Sequence, residues 1–189
     1  MNSFFIKAYL AGPDVFLPDA AAHAQRKIEI CAKHGIKGIH PANNGDVDVN
    51  PQNKESWLKI FNDDILMMIE SDIIIANLTP FLGASADSGT LIELGWFLGQ
   101  RKPIFAYSNS STIFSERCRN FYSQHGWPVP KMNMENFSLP DNLMIPGAVH
   151  SCGGEKILTP NDDEHVPFDS LVIFERCVVH AISITRKIQ

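Results

Sequence analysis

The sequence lacks the features that define several large classes of protein. No apolar run approaches the ~20 residues that a membrane-spanning helix needs, and residues 1–10 have no basic start, long apolar centre or small-residue cleavage site. Lys and Arg are not clustered, and 16 of them stand against 21 Asp and Glu for a net charge of −5. We therefore predict a cytoplasmic protein that binds neither a membrane nor a nucleic acid.

Several motifs with well-known chemistry are also missing. The four cysteines, Cys31, Cys118, Cys152 and Cys177, form no C-x-x-C pair, which predicts reduced thiols. The seven histidines have no H-E-x-x-H or paired-ligand spacing, no G-x-S-x-G elbow marks a serine hydrolase, and no complete glycine-rich phosphate loop occurs. We therefore predict no metal and no cofactor, and we look for chemistry among the carboxylates.

The remaining pattern is that of an α/β protein. The 189 residues, 44% apolar and 20% charged, fit one soluble domain. Strands are predicted over 4–10, 36–40, 72–78 and 102–107, and helices over 19–33, 55–70 and 89–100. This alternation predicts a parallel sheet with helices on both faces. Ligands of such sheets bind at the carboxyl ends of the strands, which directs attention to the loops at Gly12, Asn43, Thr79 and Ser108.

The pattern is weaker after Ser108. Residues 112–124 are compatible with another helix, and residues 127–143 are rich in Pro and Asn, as loops are. Residues 151–167 are polar and are predicted to form an exposed insertion. Residues 169–184 favour a closing helix, although Val178 and Val179 also fit a strand.

Glu93 and Asp64 are two carboxylates with alternative explanations. Glu93 has apolar neighbours on both sides, so it is paired, lies on the solvent stripe of an amphipathic helix, or has a function. Asp63 and Asp64 lie inside a predicted helix, where adjacent side chains point about 100° apart. At most one of them can easily face the ligand edge, and we expect Asp63 to be solvated.

Two glycines and Asp87 lie in candidate ligand loops. Asp87 stands where a helix N-cap is expected, and capping alone would explain an Asp there. Gly89 belongs to a small-residue loop, 83–89, whose backbone could approach a ligand. Gly12 follows the first strand, where it either ends the strand or forms a turn on the ligand side.

Five ordered blocks of sequence carry a more specific signal. They read YLAGP at 9–13, FNDDI at 61–65, DIIIANLTPF at 72–81, DSGTLIELG at 87–95 and LPDNLMI at 139–145. Together they resemble the nucleoside 2-deoxyribosyltransferase family over most of residues 7–146. The resemblance implies a flavodoxin-like (Rossmann-like) doubly wound, mostly parallel α/β sheet, in a single domain over residues 1–189.

The resemblance also implies a reaction, the transfer of 2-deoxyribose between nucleobases. Glu93 matches the nucleophile, which would attack the anomeric carbon of a 2-deoxynucleoside and form a covalent deoxyribosyl-enzyme. The deoxysugar lacks an electron-withdrawing 2-hydroxyl, so its oxocarbenium-like transition state is accessible to a stabilising carboxylate. Asp64 matches the acid/base near the nucleobase, and Tyr9 matches the tyrosine that orients the nucleophile.

Further positions follow from the same resemblance. Asp87 matches the carboxylate that binds the sugar 5-hydroxyl. Asn142 matches an asparagine lent by a neighbouring subunit, which implies a homo-oligomer. Asn43 and Asn44 lie where the family contacts the base. The expected small molecules are 2-deoxynucleosides and free nucleobases.

Two alternatives stay open. A related N-hydrolase of deoxynucleoside 5-monophosphates would pass the intermediate to water. Asp87 disfavours it, since a carboxylate repels a phosphate dianion, but Ser85 and Ser88 lie nearby and could bind one. A non-catalytic nucleotide-binding module on the same fold is the second alternative, disfavoured by the joint presence of all five matching site residues.

Overall fold

The computed structural model describes residues 6–41, 55–128, 133–161 and 166–186. Four strands form one sheet, and each neighbouring pair is parallel. They are β1 (Ile6–Ala11), β2 (Ile36–Ile39), β3 (Ile73–Asn77) and β4 (Ile104–Tyr107), in the order β2-β1-β3-β4. The two central strands, β1 and β3, are largely or fully buried. Continuous apolar sequence is what a parallel strand covered on both faces requires.

Six α-helices connect and flank the strands. They are α1 (Ala20–Lys33), α2 (Ser56–Glu70), α3 (Ser88–Gly99), α4 (Phe114–Gln124), α5 (Met144–Ser151) and α6 (Val172–Thr185). A short 3₁₀ turn, Pro13–Phe16, follows β1. All the predicted helices are present, and α5 was not predicted. No helix in the described ranges is both long and apolar enough to cross a bilayer.

The sheet separates two apolar cores. On one face, Tyr9 and Ala11 of β1 pack with side chains of α2, α3 and α5. On the other face, Ala8 and Leu10 pack with α1 and α6, because successive side chains of a strand point to opposite faces. This confirms the doubly wound α/β architecture. The strand order changes direction between β1 and β3, and ligands bind at such a switch point, beyond the carboxyl ends of the strands.

The segment after α5 corrects part of the prediction of an exposed insertion over 151–167, of which residues 162–165 lie outside the described residues. The Leu158 amide donates to the Ala106 carbonyl at 2.9 Å, and the Leu158 carbonyl accepts from the Ser108 amide at 2.8 Å. Leu158 thereby forms a parallel bridge beside β4, in the place of a fifth strand. Ile157 is buried in the α2–α3–α5 core. Two apolar residues between polar neighbours are too short a run to predict a strand.

Candidate active site

Tyr9 and Glu93 meet across the sheet and α3. The Tyr9 hydroxyl donates to Glu93 Oε1 at 2.5 Å. The Tyr9 ring stacks on Phe97, with centroids 6.2 Å apart. Residues four apart share one face of a helix, so Glu93 and Phe97 contact the hydroxyl and the ring of the same tyrosine. The predicted pairing of Tyr9 with Glu93 is therefore present in the structure.

The surroundings of this pair raise the pKa of both groups, so that Tyr9 keeps its proton and Glu93 titrates near neutral pH. Burial, followed by the Glu93 charge, raises the pKa of Tyr9 far above its usual value, so the hydroxyl stays a donor. Burial raises the pKa of Glu93 to about 7, and the charges of Asp64 and Asp87 add to the rise. The Tyr9 hydrogen bond opposes that rise because it stabilises the carboxylate.

Asp64 of α2 lies close enough to Tyr9 and Glu93 to raise the pKa of both. Its own pKa is raised to about 6, first by burial and then by the charge of Asp63. Asp63 instead pairs with Lys59 one turn earlier, at 2.6 Å. Of the two adjacent carboxylates, Asp64 is thus the one near the Tyr9–Glu93 pair, with a pKa suited to proton transfer.

Asp87 caps α3 and also contributes charge to the site. Its Oδ2 accepts from the Thr90 amide at 2.9 Å and from the Thr90 hydroxyl at 3.0 Å. Both bonds use the same oxygen, so Oδ1 is left for a ligand among the described contacts. A Cβ on Gly89 would lie 3.1 Å from Oδ2, so glycine at this position leaves space for the capping carboxylate.

Gly12 allows the chain to leave β1 against the end of β3. Its φ is +152°, a backbone region that favours glycine, and a Cβ would lie 2.6 Å from the Asn77 Cβ and 3.0 Å from Asp14 Oδ2. Glycine at this position is therefore explained by close packing. Its contact with substrate stays a prediction.

Among the described residues of this chain, Asn142 has no hydrogen bond with Tyr9 or Glu93. Its Oδ1 accepts from the Met144 amide at 3.1 Å, and its polar contacts in the described chain lie at the start of α5. The two base-contacting candidates, Asn43 and Asn44, lie outside the described residues.

Asp141 is a site-supporting residue that the sequence analysis missed. It is 2% exposed, and it accepts from the Ser85 hydroxyl at 2.7 Å and the Ala86 amide at 3.0 Å. Arg117 approaches it at 3.4 Å and donates to the Ala84 carbonyl at 2.7 Å. These contacts fix the loop that leads to Asp87. Both residues belong to the matching block at 139–145, but the sequence analysis assigned a role to the adjacent Asn142 alone.

A second missed group lies on the opposite face of the sheet. Lys27 donates to Asp14 at 2.5 Å, and both side chains are almost fully buried. Asn77 donates to the same carboxylate at 2.7 Å. In the sequence, Lys27 stands in a polar helix and Asp14 in a turn, where both residue types are usually solvated.

No group of three or more His, Cys, Asp and Glu side chains in the described ranges has a geometry suited to a metal ion. Cys31 and Cys177 are buried thiols, and Cys118 and Cys152 are partly exposed thiols.

Comparisons with known proteins show the family and the fold. The sequence profile of the family described as Nucleoside 2-deoxyribosyltransferase matches residues 8–144. The fold is similar to that of a 2-deoxyribosyltransferase from Leishmania mexicana, with a TM-score of 0.62 and 26% identity over 94% of this chain and 97% of that chain. It is also similar to a conserved protein from Enterococcus faecalis V583, with a TM-score of 0.56 and 15% identity over 94% and 99% of the two chains.

A sequence relative lies in fission yeast. The uncharacterized protein C191.05c of Schizosaccharomyces pombe is 33% identical over 118 residues, which are 61% of this chain and 56% of that protein. This chain therefore spans little more than half the length of that relative. The profile match covers well over half of the sequence and includes Tyr9, Asp64, Asp87 and Glu93. The chain belongs to the nucleoside 2-deoxyribosyltransferase family.

Proposed function

We propose that this protein transfers 2-deoxyribose from one nucleobase to another through a covalent deoxyribosyl-Glu93 intermediate. The observation that carries the proposal is the 2.5 Å hydrogen bond from the Tyr9 hydroxyl to Glu93, beside a second carboxyl group, Asp64. Family membership and the likeness to the Leishmania mexicana enzyme support the same reaction class.

In the first step, Glu93 bonds to the anomeric carbon while the bond from that carbon to the base nitrogen breaks. The bonding electrons go to the base, and the Asp64 carboxyl group supplies the proton that neutralises it. The Tyr9 hydroxyl occupies Oε1 and leaves Oε2 for the attack. A pKa of about 6 allows Asp64 to hold a proton in part of the molecules near neutral pH.

The second step reverses the first with a different base. A ring nitrogen of the incoming base attacks the anomeric carbon, the ester bond to Glu93 breaks, and Asp64 accepts the proton that the base loses. Two inversions at one carbon give net retention. The carboxyl and phenol groups end in their starting protonation states, so the cycle consumes no cofactor.

The charge of the site favours an unphosphorylated sugar. The charged groups that shift the pKa of Glu93 are the carboxylates Asp64 and Asp87, and a phosphate dianion would enter a site that is already negative. Ser85, a candidate phosphate ligand, donates its hydroxyl to Asp141 instead. We assign Asp87 Oδ1 to the sugar 5-hydroxyl.

We propose that a second copy of the chain completes the site with Asn142. Apolar side chains on the helices of this face are exposed, notably Ile92, Met144, Trp57 and Phe61 at 71%, 67%, 65% and 51%. Such a surface is typical of a covered interface, and a homo-oligomer would place Asn142 of one copy at the site of another.

The test is a transfer assay with 2-deoxyadenosine, run with and without cytosine or hypoxanthine and followed by chromatography. The proposal expects a new deoxynucleoside only when an acceptor base is present. Mass spectrometry of protein quenched with donor alone should find one deoxyribosyl group on the peptide that contains Glu93. Free adenine with no new nucleoside would favour the hydrolase, and no reaction at all would favour the binding module.

A further inference from the structure

The buried ion pair between Lys27 and Asp14 begins a longer chain of contacts. Lys27 Nζ also lies 4.9 Å from the centre of the Phe174 ring and 5.8 Å from that of Tyr107. Removing two charges from water is costly, and their mutual attraction often fails to repay it. A gain in stability alone therefore does not explain this ion pair. Its further contacts show which segments it joins.

From Asp14 the chain crosses the carboxyl edge of the sheet. Asn77, the last residue of β3, donates its amide to Asp14 Oδ1 at 2.7 Å. Asn77 Oδ1 accepts from the Thr79 amide at 3.0 Å and from the Thr79 hydroxyl at 2.6 Å. The Thr79 hydroxyl in turn accepts from the backbone N–H of Asn109 at 2.9 Å. One continuous set of hydrogen bonds thus joins the turn after β1, the loop after β3 and the loop after β4.

Asn109 extends the chain to a fourth segment. Its side-chain amide lies within 3.1 Å of three backbone carbonyls just before α6, those of Pro167, Phe168 and Ser170. Asn109 is 6% exposed, so these contacts are made away from water, where a lost partner costs most.

Three phenylalanines join the same segments. Phe16 is the last residue of the turn after β1, Phe81 lies in the loop after β3, and Phe168 precedes α6. The rings of Phe16 and Phe81 stack with centroids 5.2 Å apart, and those of Phe81 and Phe168 lie 6.3 Å apart. Aromatic contacts therefore join three of these four segments a second time.

We propose that the buried chain Lys27–Asp14–Asn77–Thr79–Asn109 is a positioning network for the reaction at Glu93. It rests on the proposed function. The loop that starts at Thr79 carries Asp87 and leads directly into α3, which presents Glu93. Holding that loop against its neighbours fixes where α3 begins relative to β1 and Tyr9. The five members are positioning residues, because they act through these loops.

Thr79 is the member that can be changed most gently. Its hydroxyl is both donor and acceptor, so Thr79→Val removes the link between the β3 and β4 loops at nearly constant volume. Thr79→Ser keeps the hydroxyl and serves as the conservative rescue. Thr185→Val is the matched control, since the contacts of the buried Thr185 hydroxyl among the described residues lie within α6, where it donates to the Ala181 and Ile182 carbonyls.

The experiment measures transfer kinetics well below the melting temperature, together with hydrogen–deuterium exchange. We expect Thr79→Val to lower kcat roughly ten- to a hundredfold, as displacements of about 1 Å do, while Thr79→Ser and Thr185→Val stay near wild type. Exchange should accelerate at Asn109 and over residues 80–87 in Thr79→Val alone. A merely structural Thr79 would lower the melting temperature and leave kcat unchanged.

The outcomes separate this inference from the proposed function. Wild-type transfer with an unchanged kcat in Thr79→Val overturns the network and leaves the function intact. If the wild type transfers nothing, the proposed function fails, and the exchange data then decide the network. Unchanged exchange over 80–87 in Thr79→Val would overturn it in that case as well.

Discussion

Glu93, which is partly buried, and Asp14, which is almost fully buried, are two carboxylates near the same edge of the sheet, on its opposite faces, and they differ in the charges around them. Glu93 has the carboxylates Asp64 and Asp87 nearby, and its pKa is raised to about 7. Asp14 is held by Lys27, whose charge and hydrogen bond keep its pKa below the usual value despite burial. A carboxylate shielded from water with a cation in contact is fixed as an anion, whereas one without a cation remains titratable near neutral pH.

The two carboxylates act on stability in opposite directions. A raised folded-state pKa makes the Glu93 region most stable below the unfolded pKa, and that stability is lost as the pH rises through about 7. A lowered pKa makes Asp14 stabilising above its unfolded pKa, and this contribution is lost in acid. Above about pH 7, the folded chain therefore holds Glu93 ionised at a cost in stability.

Glu93→Gln should have the largest effect on activity. The amide still accepts the Tyr9 hydrogen bond but cannot form the ester, so we expect transfer to fall by about 10³-fold or more. Because a buried charge is removed, the melting temperature at pH 8 should be unchanged or higher. The exposed Glu29→Gln is the control for the same substitution. Transfer that persists in Glu93→Gln would remove the nucleophile from the scheme.

Lys27→Met should have the largest effect on folding. It leaves the Asp14 charge buried without its cation, which costs about 3–5 kcal/mol in the free energy of unfolding. The double variant Asp14→Asn/Lys27→Met should recover much of this loss. Urea unfolding measures both, with Lys33→Met as the control because the Lys33–Glu175 pair is exposed. An equal loss in the two lysine variants would contradict the contrast between the two carboxylates.

Asp64→Asn should change both the rate and its pH dependence. Without a proton donor, we expect transfer to fall roughly 10²- to 10⁴-fold. Wild-type activity needs Glu93 ionised and Asp64 protonated, so it should peak between about pH 6 and 7. The alkaline limb of that profile should vanish in Asp64→Asn. An alkaline limb that survives would assign it to another group.

Tyr9→Phe should have a smaller effect of a different kind. Loss of a hydrogen bond to a charged group costs about 1.5–3 kcal/mol, which corresponds to a rate loss of roughly ten- to a hundredfold. The Tyr9 hydrogen bond lowers the pKa of Glu93. Because the pKa of Glu93 is the higher of the two, it sets the alkaline limb of the pH profile, and that limb should move to higher pH in Tyr9→Phe. A lower rate with an unmoved limb would mean that Tyr9 acts through packing alone.

The smallest effect should come from His40, which adjoins the Lys27–Asp14 pair. Burial, then the charge of Lys27, lowers its pKa to about 3. Below about pH 6.5, His40 therefore binds a proton in the unfolded chain but not in the folded chain. We expect stability to fall by at most about 1.4 kcal/mol per pH unit from this group as the pH drops from 6.5. His40→Gln should flatten the slope of urea midpoints against pH, and the exposed His125→Gln should not.

The sequence was informative where a local pattern carried the structure. Continuous apolar runs identified β1 and β3, and the family resemblance placed Tyr9, Asp64, Asp87 and Glu93 in positions that the fold draws together. Lys27 and Asp14 are 13 residues apart and meet only after α1 packs on the sheet. Nothing in the spacing of a lysine in a polar helix indicates burial, because burial is decided by distant partners.

Asp141 and Asn142, in the turn before α5, connect the loop that carries Asp87 with the proposed contact between two copies of the chain. Asp141 accepts hydrogen bonds from Ser85 and Ala86 of its own chain. The next residue, Asn142, is the one proposed to reach a neighbouring copy. In the proposed assembly, a displacement of Asn142 on association would act on Asp141 and, through its hydrogen bonds, on the loop that carries Asp87. On this proposal, association of two copies and binding of the sugar are coupled, and dilution of the protein should weaken both together.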